Sequence, residues 1–101
     1  MADKKKWWVY MLQSFKLGVH PFDGVIYIGI TTNVSRRFQQ HNRGKGAKFT
    51  RGKSWRLIAS NAYNSKSEAL KVELKLKRLS KPKKLDAASV SPYTLCDPWT
   101  P

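Results

Sequence analysis

The apolar positions of the chain fall into three short runs with strand character and two longer runs with helical spacing. Trp7–Leu12 (WWVYML) is rich in aromatic and β-branched residues and predicts a strand. Strand alternation puts Trp8, Tyr10 and Leu12 on one face and Trp7, Val9 and Met11 on the other. Val25–Ile30 (VIYIGI) predicts a second strand, with Val25, Tyr27 and Gly29 on one face and Ile26, Ile28 and Ile30 on the other. Residues 13–24 between them (QSFKLGVHPFDG) predict a long hairpin connection that closes in the Asp23-Gly24 turn pair. Tyr10 and Tyr27 can then stand on one face of an antiparallel pair, in a register that local pattern leaves open. Trp55–Ala62 (WRLIASNA) predicts the third strand.

Thr31, Thr32 and Asn33 are helix-start residues, and VSRRFQQHN follows as a helix that stops near Gly44. On it Val34, Arg37, Phe38 and His41 share an arc of about 100°, while Arg36 points the opposite way. Two adjacent arginines are thereby separated: Arg37 looks inward beside His41, and Arg36 looks to solvent. Ser65-Lys66-Ser67-Glu68 is a capping box for a second helix that runs to about Leu79. Its expected apolar arc holds Ala69, Leu70, Val72, Leu74, Leu76 and Leu79, with Glu73 inside it. Ser80-Lys81-Pro82 reads as a break with a short helix beyond. The pattern predicts an α+β fold: a small three-stranded antiparallel sheet flanked by helices.

Composition narrows the class. At 101 residues the chain is expected to form one domain, and 41% hydrophobic content with twelve aromatic residues supports a packed core. We divide it into a basic N-terminal extension over 1–6, a folded domain over 7–88 and an irregular or mobile tail over 89–101. No apolar run nears the roughly 18 residues of a membrane span, and no secretory signal follows the basic start, so a cytoplasmic, nucleoid-associated or viral-host location is expected. One cysteine, Cys96, precludes an internal disulfide and argues against a cysteine-based zinc site.

The net charge is +14 and it is unevenly spread. Residues 36–56 carry eight cations (Arg36, Arg37, Arg43, Lys45, Lys48, Arg51, Lys53, Arg56) and no acid. Residues 57–84 add eight more against Glu68 and Glu73. A phosphate backbone is the partner such a surface suits. Arg36, Arg43, Lys45, Lys48, Arg51 and Lys53 are the expected backbone contacts.

Acids are scarce, and Glu73 is the one carboxylate on a core-facing arc. That is too few for a two-metal centre but suits one magnesium ion, which keeps its waters and shares phosphate oxygens. Arg37 offers a planar fork for a phosphoryl oxygen, and it is expected to lower the pKa of a neighbouring phenol. Taken singly, each residue also has a plain structural role. The tyrosines can be core aromatics, His41 a hydrogen-bonded core histidine, and Glu73 an i,i+4 ion-pair partner of Lys77.

Taken together, WVY at 8–10, YIG at 27–29, RRFQQHN at 36–42 and a later helical glutamate resemble the GIY-YIG endonuclease superfamily, most closely its small single-domain bacterial-type members. The resemblance covers about residues 7–85. It implies that Tyr10 and Tyr27 are the motif tyrosines, Gly29 the motif glycine, Arg37 and His41 the catalytic helix residues, and Glu73 the ligand of Mg2+ or Mn2+. The implied activity is metal-dependent hydrolysis of DNA phosphodiesters, with a tyrosine, commonly the first, assisting the attacking water. Structure-selective action in DNA repair or recombination would be consistent with it. Specificity would then come from DNA structure, a protein partner or a homo-oligomer. The competing expectation is a non-catalytic basic nucleic-acid-binding module on the same fold. Two departures stand out: the first motif reads WVY, without its glycine and isoleucine, and the connection between the motifs is long.

Overall fold

The computed structural model describes residues 5–16, 24–89 and 98–101. Three strands, β1 (Trp7–Phe15), β2 (Ile26–Thr31) and β3 (Ser54–Tyr63), form one antiparallel sheet in the order β2-β1-β3. Among the described residues, helices α1 (Val34–Asn42), α2 (Lys66–Lys77) and α3 (Lys81–Ala88) accompany the sheet, with a 3-10 turn at Lys48–Thr50. The α+β architecture is the expected one. β1 runs three residues beyond its predicted end, because Gln13, Ser14 and Phe15 still pair with β3. Most of the long connection, Asp23 included, lies outside the described residues.

Tertiary pairing decides the register. Tyr10 lies opposite Gly29 and Leu12 opposite Tyr27. The even-numbered residues of β1 therefore share a face with Tyr27 and Gly29. A bulge between Met11 and Leu12 leaves one extra residue in β3, so Leu12 pairs with Leu57 while Met11 pairs with Ala59. That residue reverses the alternation of β3. Trp55 joins the Tyr10 face, and Tyr63, although eight residues on, joins the opposite one.

Each face has its own core. Val9, Met11, Ile28 and Tyr63 pack under Ala69, Val72 and Leu76 of α2. Tyr10, Leu12 and Trp55 pack with Tyr27, Val34 and Phe38, which brings α1 to the other face. The buried stripe of α2 is narrower than its composition suggests. Leu70 and Leu74 are 43% and 50% exposed, because one helix face meets the sheet and these two side chains turn off it. The expected caps form. Asn33 Oδ1 accepts from Arg36 N–H, and Ser65 Oγ accepts from Glu68 N–H.

The last residues of the chain return to the core. Trp99 is buried in the α2 core, its Nε1–H donates to the Ala87 carbonyl at 2.9 Å, and the Tyr63 hydroxyl donates to the Trp99 carbonyl. A large indole with a satisfied N–H gains more from that slot than from solvent.

Candidate active site

The site is built on the even face of β1. Tyr10 is 1% exposed, and its ring lies across Gly29 of the neighbouring strand. A Cβ on Gly29 would stand 2.6 Å from the Tyr10 hydroxyl and 2.8 Å from Cζ, so only glycine leaves room for the phenol. α1 crosses this face. Its predicted inward arc is observed: His41 is fully buried, Val34, Arg37 and Phe38 are half-buried, and Arg36 is exposed. The Tyr10 hydroxyl and His41 Nε2 are 2.7 Å apart. Tyr27 completes the group, its ring centroid 4.9 Å from that of His41 and 6.2 Å from that of Tyr10.

The loop after α1 closes over the imidazole. Thr50 Oγ1 lies 2.8 Å from His41 Nδ1. A Cβ on Gly46 would fall 2.3 Å from that nitrogen, so the loop needs a glycine there to approach the ring. Asn42 ties the end of α1 to β3: its Nδ2–H donates to the Trp55 carbonyl at 3.1 Å, and its Oδ1 accepts from Trp55 N–H at 2.7 Å. Trp55 Nε1–H in turn donates to the Thr50 carbonyl at 3.0 Å. Phe49 projects outward, 52% exposed, with its ring nearly parallel to that of Tyr27 and Lys53 Nζ 5.2 Å from its centroid.

The electrostatics correct one expectation. Burial, then the charge of Tyr27, raises the Tyr10 phenol above its ordinary value; Arg37 pulls the other way through hydrogen bonding and charge without cancelling them. His41 is lowered to about 4, by burial first and then by Arg37. With the phenol raised and the imidazole lowered, transfer of the proton from Tyr10 to His41 is disfavoured at both ends. Tyr10 therefore keeps its proton and His41 is neutral near pH 7. Arg37 contacts the cluster from α1 and donates to Gln40 Oε1 at 3.1 Å.

Four of the predicted residues, Tyr10, Tyr27, Arg37 and His41, thus form one cluster, and Gly29 underlies it. Glu73 belongs to α2, whose core side chains pack on the other face. It is mostly buried and ion-pairs with Lys77 across one helical turn at 3.5 Å. α2 lies against both β1 and the edge strand β2. Among the described residues no three His, Cys, Asp or Glu side chains gather as a metal site. The six predicted backbone-binding cations are exposed. Thr50 and Phe49 escape sequence reasoning because they sit in a Gly- and Lys-rich loop without periodicity, whereas Asn42 closes the RRFQQHN motif without a role assigned to it. Their one sequence signal is closeness to His41 along the chain.

This arrangement can be set beside known proteins. Residues 6–86 match the model of the GIY-YIG catalytic domain. The chain belongs to the GIY-YIG family. It is 46% identical to a UPF0213 protein of Cupriavidus pinatubonensis over 86 residues, spanning 84% of this chain and 88% of that one. It is 41% identical to a UPF0213 protein of Pectobacterium carotovorum, over 93% of this chain and 89% of the relative. Among solved structures, the solution NMR structure of a UPF0213 protein from Bacillus halodurans superposes with a TM-score of 0.51 at 42% identity, covering 87% of this chain and 89% of that one. Small bacterial GIY-YIG proteins of one domain are therefore its kin, as the motif order implies. The family suggests nuclease chemistry and a DNA substrate. No helix among the described residues is long and apolar enough to cross a membrane.

Proposed function

We propose that this chain is a metal-dependent DNA endonuclease that hydrolyses phosphodiester bonds and selects DNA by its structure, in repair or recombination. The observation that supports it is the gathering of Tyr10, Tyr27, Arg37 and His41 on one sheet face, bordered by the exposed cations of the loop after α1. Structural packing alone gives no reason to hold a guanidinium beside a buried phenol and a neutral imidazole.

Arg37 binds a non-bridging phosphoryl oxygen through its fork and offsets the charge that grows there during attack. Tyr27 is the tyrosine that meets the attacking water. It is half-buried, whereas Tyr10 is sealed from solvent and built to keep its proton. Tyr10 orients its neighbours from behind, held by His41. Arg36, Arg43, Lys45, Lys48, Arg51 and Lys53 hold the DNA backbone. One carboxylate fits magnesium, because that ion retains waters and takes substrate phosphate oxygens rather than an all-protein cage. Glu73 would hold the Mg2+ or Mn2+, which when bound supplies Lewis-acid polarisation of the phosphate.

The Glu73–Lys77 ion pair favours a second reading, a basic module that binds DNA without cutting it. Plasmid and four-way-junction cleavage in magnesium separates the two. Arg37→Ala and Glu73→Gln should each lose roughly 100-fold or more in rate while most DNA binding remains. Nicking at the unaltered rate by either variant would sink the endonuclease assignment.

A further inference from the structure

We propose that Thr50 is a positioning residue that holds the His41 imidazole in its Nδ1–H tautomer, and so dictates that Tyr10 donates to Nε2 rather than accepting from it. This role rests on the cluster of Tyr10, Tyr27, Arg37 and His41 being the active site of the previous section, and adds to it a residue outside the family motif.

Counting protons fixes the direction of each bond. A threonine hydroxyl has one proton to give. Thr50 Oγ1 lies 2.8 Å from the Ala47 carbonyl, which can only accept, so its proton goes there. The second neighbour of Oγ1, also at 2.8 Å, is His41 Nδ1. That bond needs a proton from the ring. A neutral imidazole carries one N–H, so with Nδ1 protonated Nε2 is bare and accepts the Tyr10 hydroxyl at 2.7 Å. Thr50 and His41 are both fully buried, so bulk water cannot substitute for either partner. The backbone of Thr50 is fixed as well, by the 3-10 turn at Lys48–Thr50 and by Trp55 Nε1–H donating to its carbonyl.

One carbonyl, Ala47, thereby sets the direction of three successive hydrogen bonds. The Tyr10 proton points at His41, and the Tyr10 oxygen keeps its lone pairs toward the Arg37 guanidinium, which pulls the phenol pKa down. In the opposite tautomer Nε2–H would donate to Tyr10 and swing the phenol proton toward Arg37, setting donor against donor where the phosphate is to be bound.

The test is 15N NMR of histidine-labelled full chain near pH 7, without DNA or metal. The unaltered protein and Thr50→Ser should show His41 with a protonated Nδ1 and an unprotonated Nε2. Thr50→Val, which keeps the shape and removes the hydroxyl, should move the two resonances toward each other as the other tautomer becomes populated. Thr50→Ala serves the same purpose if the valine variant does not fold. Cleavage by the folded variants should fall about 10-fold in kcat with little change in KM, and the serine variant should restore it. A protonated Nε2 in the unaltered protein, or unmoved His41 resonances in a folded hydroxyl-less variant, would overturn the proposal. The tautomer is read without cleavage, so an absence of nuclease activity would refute the endonuclease assignment and leave this result standing.

Discussion

Gly29→Ala tests most directly how the sheet register builds the site. The added Cβ would meet the Tyr10 hydroxyl at 2.6 Å, and ordinary contact begins near 3.4 Å, so the phenol must retreat by about 0.8 Å. A flexible surface side chain would do so at little cost. Tyr10 cannot, because it is 1% exposed and its hydroxyl is bound to His41 at 2.7 Å. Directed away from His41, the same shift stretches that bond to about 3.5 Å, beyond useful hydrogen-bond length. The expected loss is ~1–3 kcal/mol for overpacking and ~1–3 kcal/mol for the unpaired buried groups. The two together come to ~2–6 kcal/mol, a fall of roughly 10–30 °C in thermal midpoint for a domain of this size. Cleavage should drop about 100-fold in the folded variant, since the residue that orients the catalytic groups moves by nearly 1 Å and their alignment is lost. Thermal unfolding by circular dichroism and single-turnover cleavage below the midpoint measure the two effects. A variant within 0.5 kcal/mol of the parent (about the scatter of neutral surface substitutions) and cutting at the same rate would show that Tyr10 does not need its place over Gly29.

Other outcomes follow from the same geometry. His41 titrates near 4 when folded and near 6.5 when unfolded, so the unfolded chain binds the extra proton between those values; stability falls as pH drops through that window, by up to ~3 kcal/mol, and urea titrations of His41→Gln should show a flatter profile. Replacing Lys45, Lys48, Arg51 and Lys53 with alanine should reduce the slope of log affinity against log salt by roughly 0.9 for each phosphate no longer neutralised, read by fluorescence anisotropy with duplex DNA. An unchanged slope would put the DNA on another surface. Trp99→Ala should cost ~3–5 kcal/mol in chemical denaturation, because the indole fills the α2 core and satisfies the Ala87 carbonyl; a loss below about 1 kcal/mol would mean that the tail is not part of the core.

Local chemistry makes much of this molecule legible from its sequence. Asn33 and Ser65 mark helix starts because their side chains can cap only the N–H groups just ahead of them. The 3.6-residue period separates Arg37 from Arg36 within one dipeptide, and the helix observes that separation. Ordered motif tyrosines, the arginine and the histidine point to one family, which the match over residues 6–86 establishes. Periodicity makes the α2 stripe too wide, since amphipathic composition counts apolar residues without knowing how much sheet is available to cover them. Trp99 reads as tail because Pro and Ser around it carry no period, and its slot is lined by residues from distant parts of the chain.

Local sequence dictates the elements, their capped ends, the inward face of α1 and the basic loop, all of which depend on neighbours within a few residues. The tertiary structure alone decided the register that lays Tyr10 over Gly29, and the β3 bulge that turns Trp55 toward the tyrosines. It also decided the descent of Thr50 onto His41 and the raising, not lowering, of the Tyr10 phenol. Each of these depends on long-range pairing or on burial, and a one-residue slip in either strand would have sent the same side chains to the other face.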